Sequence, residues 1–153
     1  MQLCVAGGVD LEDVVRPRSQ QDVVRRDFTM NALYYDPQTN EITDLVEGKR
    51  DIDGHTIRLI GDPEQRFRED PVRMLRAARF EAKLQFEIES EAAAAIRKFG
   101  FLLKDIPPAR LFEEILKLFM SGHGEASFAS LRRHDLLGWL FPATANAESE
   151  QHV

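Results

Sequence analysis

Two Asp-Pro pairs, Asp62–Pro63 and Asp70–Pro71, do most to limit how this chain can fold. An aspartate carboxylate accepts from the free amides of a first helical turn. Proline suits the first helical position because the N–H it lacks has no partner there anyway. Each pair therefore predicts a helix start. After the second, Val72, Leu75, Ala78 and Ala82 recur at helical spacing, which predicts a helix over 71–84. Further on, Ser90 predicts the cap of a helix that runs through Phe99 and stops at Gly100. Pro107–Pro108 opens a third helix, with Leu111, Phe112, Ile115, Leu118 and Phe119 as its expected buried face and Gly122 beyond its end. A fourth covers roughly 124–134, and a short fifth ends before Pro142.

Upstream of Gly61 the pattern differs. Asn31 to Tyr35 is apolar and aromatic, Asp36–Pro37–Gln38–Thr39–Asn40 supplies turn chemistry, and Ile42 to Val46 completes a predicted hairpin. A second β-rich run covers Thr56 to Ile60. The first 22 residues set four acids (Asp10, Glu12, Asp13, Asp22) against two arginines, have a weak apolar pattern, and are broken by Gly7–Gly8 and Arg16–Pro17. The fold class expected is therefore α+β. An atypical, poorly structured N-terminus (1–24) precedes a small β-containing piece (25–61), a helical array (62–142) and a flexible tail (143–153).

Composition excludes several classes. With 153 residues there is room for one domain, or for one and a fragment of another. At 43% hydrophobic and 30% charged residues the chain is not of the disordered type. Its apolar runs are too short to cross a bilayer, and its start lacks a basic-then-apolar signal layout. A single cysteine, Cys4, builds neither a disulfide framework nor a metal site, so a reducing, cytoplasmic setting is expected. The net charge of −6 argues against broad nucleic-acid binding, yet between Arg58 and Lys83 seven basic residues face five acids.

Two runs carry candidate chemistry. In Arg25–Arg26–Asp27–Phe28–Thr29–Met30–Asn31, adjacent guanidiniums offer planar forks for phosphate oxygens. Asp27 can accept from a ribose hydroxyl or share a metal ion, and Asn31 both donates and accepts. In isolation an exposed Arg–Asp pair is the commoner meaning of such a run. In Arg68–Glu69–Asp70–Pro71–Val72–Arg73, Asp70 and Arg73 lie close enough on a helix start to pair, and together they can read a base edge, one accepting and one donating. Arg76 and Arg79 extend an arginine stripe suited to a phosphate backbone, although a capped helix with a solvated charged face has the same composition. Three weaker features stand beside these. Asp51–Ile52–Asp53 has a two-carboxylate spacing but reads as a surface turn before Gly54. Gly7–Gly8 is a lone glycine pair. His55, His123, His134 and His152 show no ligand spacing.

With both runs in view, the sequence resembles the bacterial poly(A) polymerase and CCA-adding tRNA nucleotidyltransferase family, and more closely its poly(A) polymerase branch. The residues that carry the likeness are RRDFTMNALYYD at 25–36, DLVEGKRDIDGHTIRLIGDPEQRFREDPVRMLRAARFEAKL at 44–84 and DIPPARLFEEILKL at 105–118. The resemblance implies that Asp27 is the third active-site acid and that Arg25, Arg26 and Asn31 face the ribose and phosphates. It makes Glu69, Asp70 and Arg73 the amino-acid template for the incoming base. It places Arg76 and Arg79 near triphosphate or RNA, and makes the helices beyond residue 90 a neck and body that hold the RNA 3′ end. ATP and Mg2+ are the implied cofactors. The family's glycine turn and paired-aspartate metal motif lie well upstream of RRDF, and here only 24 residues precede Arg25, none forming a D-x-D pair. The expectation is thus a chain truncated at the catalytic head, with no complete metal site and no activity alone. Such a chain retains the recognition motifs of an enzyme that adds AMP to RNA 3′ ends. A separate catalytic-head chain or self-association is a candidate complement. A non-catalytic nucleotide- or RNA-binding module and a CCA-adding fragment are the alternatives.

Overall fold

The computed structural model describes residues 20–143. Helix α1 spans Gln20–Val24, within the stretch expected to lack structure; the rest of that stretch, Gly7–Gly8 and the tail from residue 144 lie outside the described residues. A 3-10 turn at Thr29–Asn31 leads into β1 (Leu33–Asp36), which pairs antiparallel with β2 (Glu41–Asp44), Tyr35 opposite Ile42. The expected hairpin is therefore present. Helix α2 (Gly48–Asp53) and the two-residue β3 (Thr56–Ile57) follow. Asp51 does not sit on a surface turn: it is 3% exposed on α2, where it accepts from Thr29 Oγ1 at 2.7 Å and pairs with Arg58 at 3.1 Å. A buried carboxylate needs such partners, and these lie 22 and 7 residues away.

Helix α3 (Pro63–Glu69) starts as its Asp-Pro pair predicts, with Asp62 accepting from the Gln65 amide at 2.9 Å. Asp70 closes α3 and opens α4 (Val72–Leu84), accepting from the Val72 amide at 3.3 Å. It thus serves as the joint between two helices. Strand β4 (Glu87–Ile88) lies parallel to β3, and α5 (Ser90–Phe99) is capped by the Glu89 carboxylate, which accepts from the Ala92 amide at 3.1 Å. Gly100 does not end α5 in a left-handed turn; its φ of −52° carries the chain into a 3-10 segment, Gly100–Asp105. Glycine is needed there for space, because a Cβ would lie 3.0 Å from the Trp139 indole. Helices α6 (Pro108–Met120), α7 (Gly124–Arg133) and α8 (Leu137–Leu140) complete the array.

Helix α4 is the hub. It packs against α3, α6 and α7, and buries Val72, Met74, Leu75, Ala77, Ala78, Phe80 and Ala82. Phe28, Met30, Ile57 and Leu59 from the β-containing piece join the same core as Phe67, Ile96, Leu118 and Leu131 from the helices. Each fully buried large side chain there contributes about 1.5–3 kcal/mol. On α6, Leu118 is buried as expected but Phe112 is 59% exposed. The run is apolar on more than one side, so its periodicity does not choose the inward face. No helix among the described residues is long and apolar enough to cross a membrane.

Candidate functional site

Asp27 sits where the two motif runs meet. Backbone bonds hold its segment against the chain entering α3: Thr29 N donates to Arg58 O and Ile60 N donates to Asp27 O, both at 3.0 Å, around a bridge between Phe28 and Leu59. The Asp27 carboxylate then reaches α4, where Arg73 Nε donates to Oδ1 at 3.0 Å and Arg76 Nε pairs with Oδ2 at 2.5 Å. Asp27 and Arg73 side chains are 14% and 12% exposed, and that of Arg76 is 33% exposed. Two guanidiniums therefore flank one carboxylate, with Asp27 and Arg73 largely shielded from water.

Arg73 is held from other sides as well. Its Nη1 donates to Arg66 O at 2.9 Å and lies 3.5 Å from Glu69 Oε2, which leaves Nη2 without a protein acceptor among the described residues. Asp70 does not pair with Arg73. Its Oδ2 accepts instead from Arg110 Nη2 on α6 at 2.7 Å. That hydrogen bond raises Arg110 above its ordinary guanidinium value against a small cost of burial, with the charges of Asp70, Glu114 and Asp27 adding to it.

The arrangement brings Asp27, Glu69, Arg73 and Arg76 into one network, sets Asp70 beside it on Arg110, and leaves the others at its margin. Arg26 turns to Tyr34, donating to its hydroxyl at 3.2 Å and lying over its ring, while its carbonyl accepts from Arg66 at 2.9 Å. Arg25 is exposed and makes no ion pair among the described residues; Asn31 is half-buried in the 3-10 turn and contributes its carbonyl to Arg26. Arg79 lies further along α4, over the Phe80 ring. Burial holds it below its ordinary value; the attraction of Glu114 opposes this and repulsion from Arg76 adds to it. Sequence reasoning missed Arg66 and Arg110. Arg66 lies seven residues before Arg73 but bonds to Arg26, and no spacing rule pairs Arg110 with a residue 40 positions away.

Asp27 alone is a poor metal site. Both of its oxygens face guanidiniums, and among the described residues no three His, Cys, Asp or Glu side chains converge to hold an ion. The donor set present among the described residues does not fit Mg2+.

The descriptions of two family models match the chain: the poly(A) polymerase head domain over residues 6–58, and the probable RNA and SrmB-binding site of polymerase A over residues 85–148. Poly(A) polymerase I of Haemophilus influenzae is 51% identical over 136 residues, 89% of this chain and 30% of that protein. A CCA-adding enzyme of Lactobacillus helveticus is 44% identical over 108 residues, 71% of this chain and 27% of that protein. Among solved structures, a tRNA nucleotidyltransferase complexed with a primer tRNA and an incoming ATP analogue superposes with a TM-score of 0.75 at 30% identity, covering 83% of this chain and 38% of that one. The Bacillus stearothermophilus CCA-adding enzyme in complex with CTP gives 0.71 at 36% identity, covering 76% and 29%. The chain thus spans about 30% of the length of its relatives.

Proposed function

The chain belongs to the poly(A) polymerase and CCA-adding nucleotidyltransferase family, and from that premise we propose that it supplies the nucleotide-recognition centre and neck of an enzyme adding AMP to RNA 3′ ends. The observation that carries this reading is the joining of the RRDF and EDxxR runs through Asp27, Arg73 and Arg76. ATP is the expected ligand. Arg73 Nη2 donates to a ring nitrogen while the Asp70 carboxylate accepts from the neighbouring exocyclic amine. Adenine N1 and N6 present that pair, and so do cytosine N3 and N4, which is why this centre alone does not separate ATP from CTP. The higher identity to poly(A) polymerase I favours AMP addition. Glu69 keeps Arg73 aligned, and Arg76 and Arg79 point the phosphate path along α4 toward bound RNA.

Transfer itself needs carboxylates beyond Asp27, supplied by a head segment in the same or a separate polypeptide. The test mixes the chain with labelled ATP, magnesium and an RNA primer, with and without a separately expressed head segment that carries paired aspartates. AMP incorporation only in the mixture is the expected result. Absence of incorporation in every mixture, together with absence of ATP binding to the chain at low salt, overturns the reading.

A further inference from the structure

A second surface on the same chain is built from aromatic rings and cations. The consecutive residues Phe99, Gly100 and Phe101 lie where α5 passes into the 3-10 segment, and Trp139 on α8 seats its indole edge against Gly100. Phe101 is 46% and Trp139 39% exposed, and the Phe99 and Phe101 rings lie 6.4 Å apart. Cations stand over these rings: Arg68 at 4.7 Å and Lys98 at 5.2 Å from the Phe99 centroid, and Lys104 at 4.6 Å from that of Trp139. Arg68 and Lys98 share Glu64 as their acidic partner, and Arg97 lies 3.9 Å from Asp135. Lys104 has no carboxylate partner among the described residues, so its charge is met by a ring alone.

We infer that this face is a stacking platform for single-stranded RNA, on which one base lies against Trp139 or Phe101 while Lys104 moves to the adjoining phosphate. Exposed rings beside an unneutralised ammonium suit a polymer that offers a π-face and a phosphate at every residue, and an apolar protein partner would strand the Lys104 charge. Helix α3 touches both this face and the Asp27 centre, Arg68 lying over the Phe99 ring and its neighbour Glu69 lying 3.5 Å from Arg73. The inference rests on the reading that the chain handles RNA.

Trp139 is the chain's one tryptophan, so its emission reports this face directly. The intact chain is titrated with dye-labelled oligo(A), and tryptophan emission and dye anisotropy are followed together. The inference expects emission to change with the same midpoint as anisotropy. It further expects Trp139→Leu to weaken binding about five-fold or more. Lys104→Gln, which keeps the fold intact, should lower the slope of log affinity against log salt by about 0.7. Anisotropy that rises with emission unmoved, and both variants binding as tightly as the parent, overturns the platform while leaving RNA binding elsewhere on the chain in place. Absence of binding at low salt removes the platform and the broader RNA reading together. Emission that depends on protein concentration without RNA assigns the face to a second copy of the chain and overturns the inference.

Discussion

Replacing Asp27 by asparagine should move folding stability and anion affinity in opposite directions. In the folded chain the Asp27 carboxylate neutralises Arg73 at 3.0 Å and Arg76 at 2.5 Å. A hydrogen bond to a charged group contributes about 1.5–3 kcal/mol, and the Arg76 contact contributes less because it is an ion pair without hydrogen-bond geometry and a third of that side chain meets solvent. Asparagine keeps a neutral acceptor for Arg73 but leaves the two guanidiniums facing each other. The net loss is about 2 kcal/mol, or roughly 4–8 °C in Tm for a chain of this size. The same change removes a negative charge from between two cations, so inorganic triphosphate should bind several-fold more tightly at low salt. Urea denaturation followed by circular dichroism gives the first quantity and calorimetric titration the second. A stability loss below about 0.5 kcal/mol, or triphosphate affinity that falls with it, would refute the view that Asp27 is the charge balance of this centre.

Arg110→Ala should cost under about 1 kcal/mol, because Arg110 is half exposed, yet lower ATP affinity at least five-fold by releasing Asp70; calorimetry of both variant and parent checks it. Gly48→Ala should unfold the junction between α2 and the 3-10 turn, since its Cβ would lie 2.1 Å from the Thr29 carbonyl oxygen; a loss above about 2 kcal/mol in urea is expected. The acid limb of stability should depend on Glu81. Burial raises its pKa, but hydrogen bonds from His134 and Ser130 and the charges of His134 and Arg133 outweigh it and set the net value below the ordinary 4.5. A depressed folded pKa contributes stability that is present above the unfolded value and lost as pH falls through the folded one. Urea midpoints of the parent should therefore drop more steeply below pH 4.5 than those of Glu81→Gln, and parallel curves would refute the assignment.

The features legible in the sequence are those decided within a few residues. The Asp-Pro starts of α3 and α4 rest on an amide and a carboxylate two or three positions apart, and the hairpin rests on its own turn. The family, and with it the residues around Asp27, was legible because the motif runs are long and collinear. What was not legible depends on partners brought together by the fold. Asp51 looks like a turn residue until Thr29 and Arg58 close on it, and Asp70 looks paired with Arg73 until α6 delivers Arg110. The parallel contact of β3 with β4 is two residues long, too short for any alternation to announce it. Gly100 is read as a helix stop because its reason for being glycine, the Trp139 ring, lies 39 positions downstream.

Helix α4 is also placed to act as a lever. Arg73 and Arg76 grip Asp27 near one end, and Glu81 near the other is bound to Ser130, Arg133 and His134 of the α7 region. From Arg73 to Glu81 the axis runs about 12 Å. Each grip includes a directional hydrogen bond, from Arg73 Nε to Asp27 at one end and from Ser130 to Glu81 at the other. A tilt of about 5° pivoting on the Glu81 grip displaces Arg73 by about 1 Å, a shift large enough to spoil the alignment of reacting groups. Pressure on α7 would therefore reach Asp27 without touching it, and the far side of the helical array becomes a place from which the proposed nucleotide centre can be tuned.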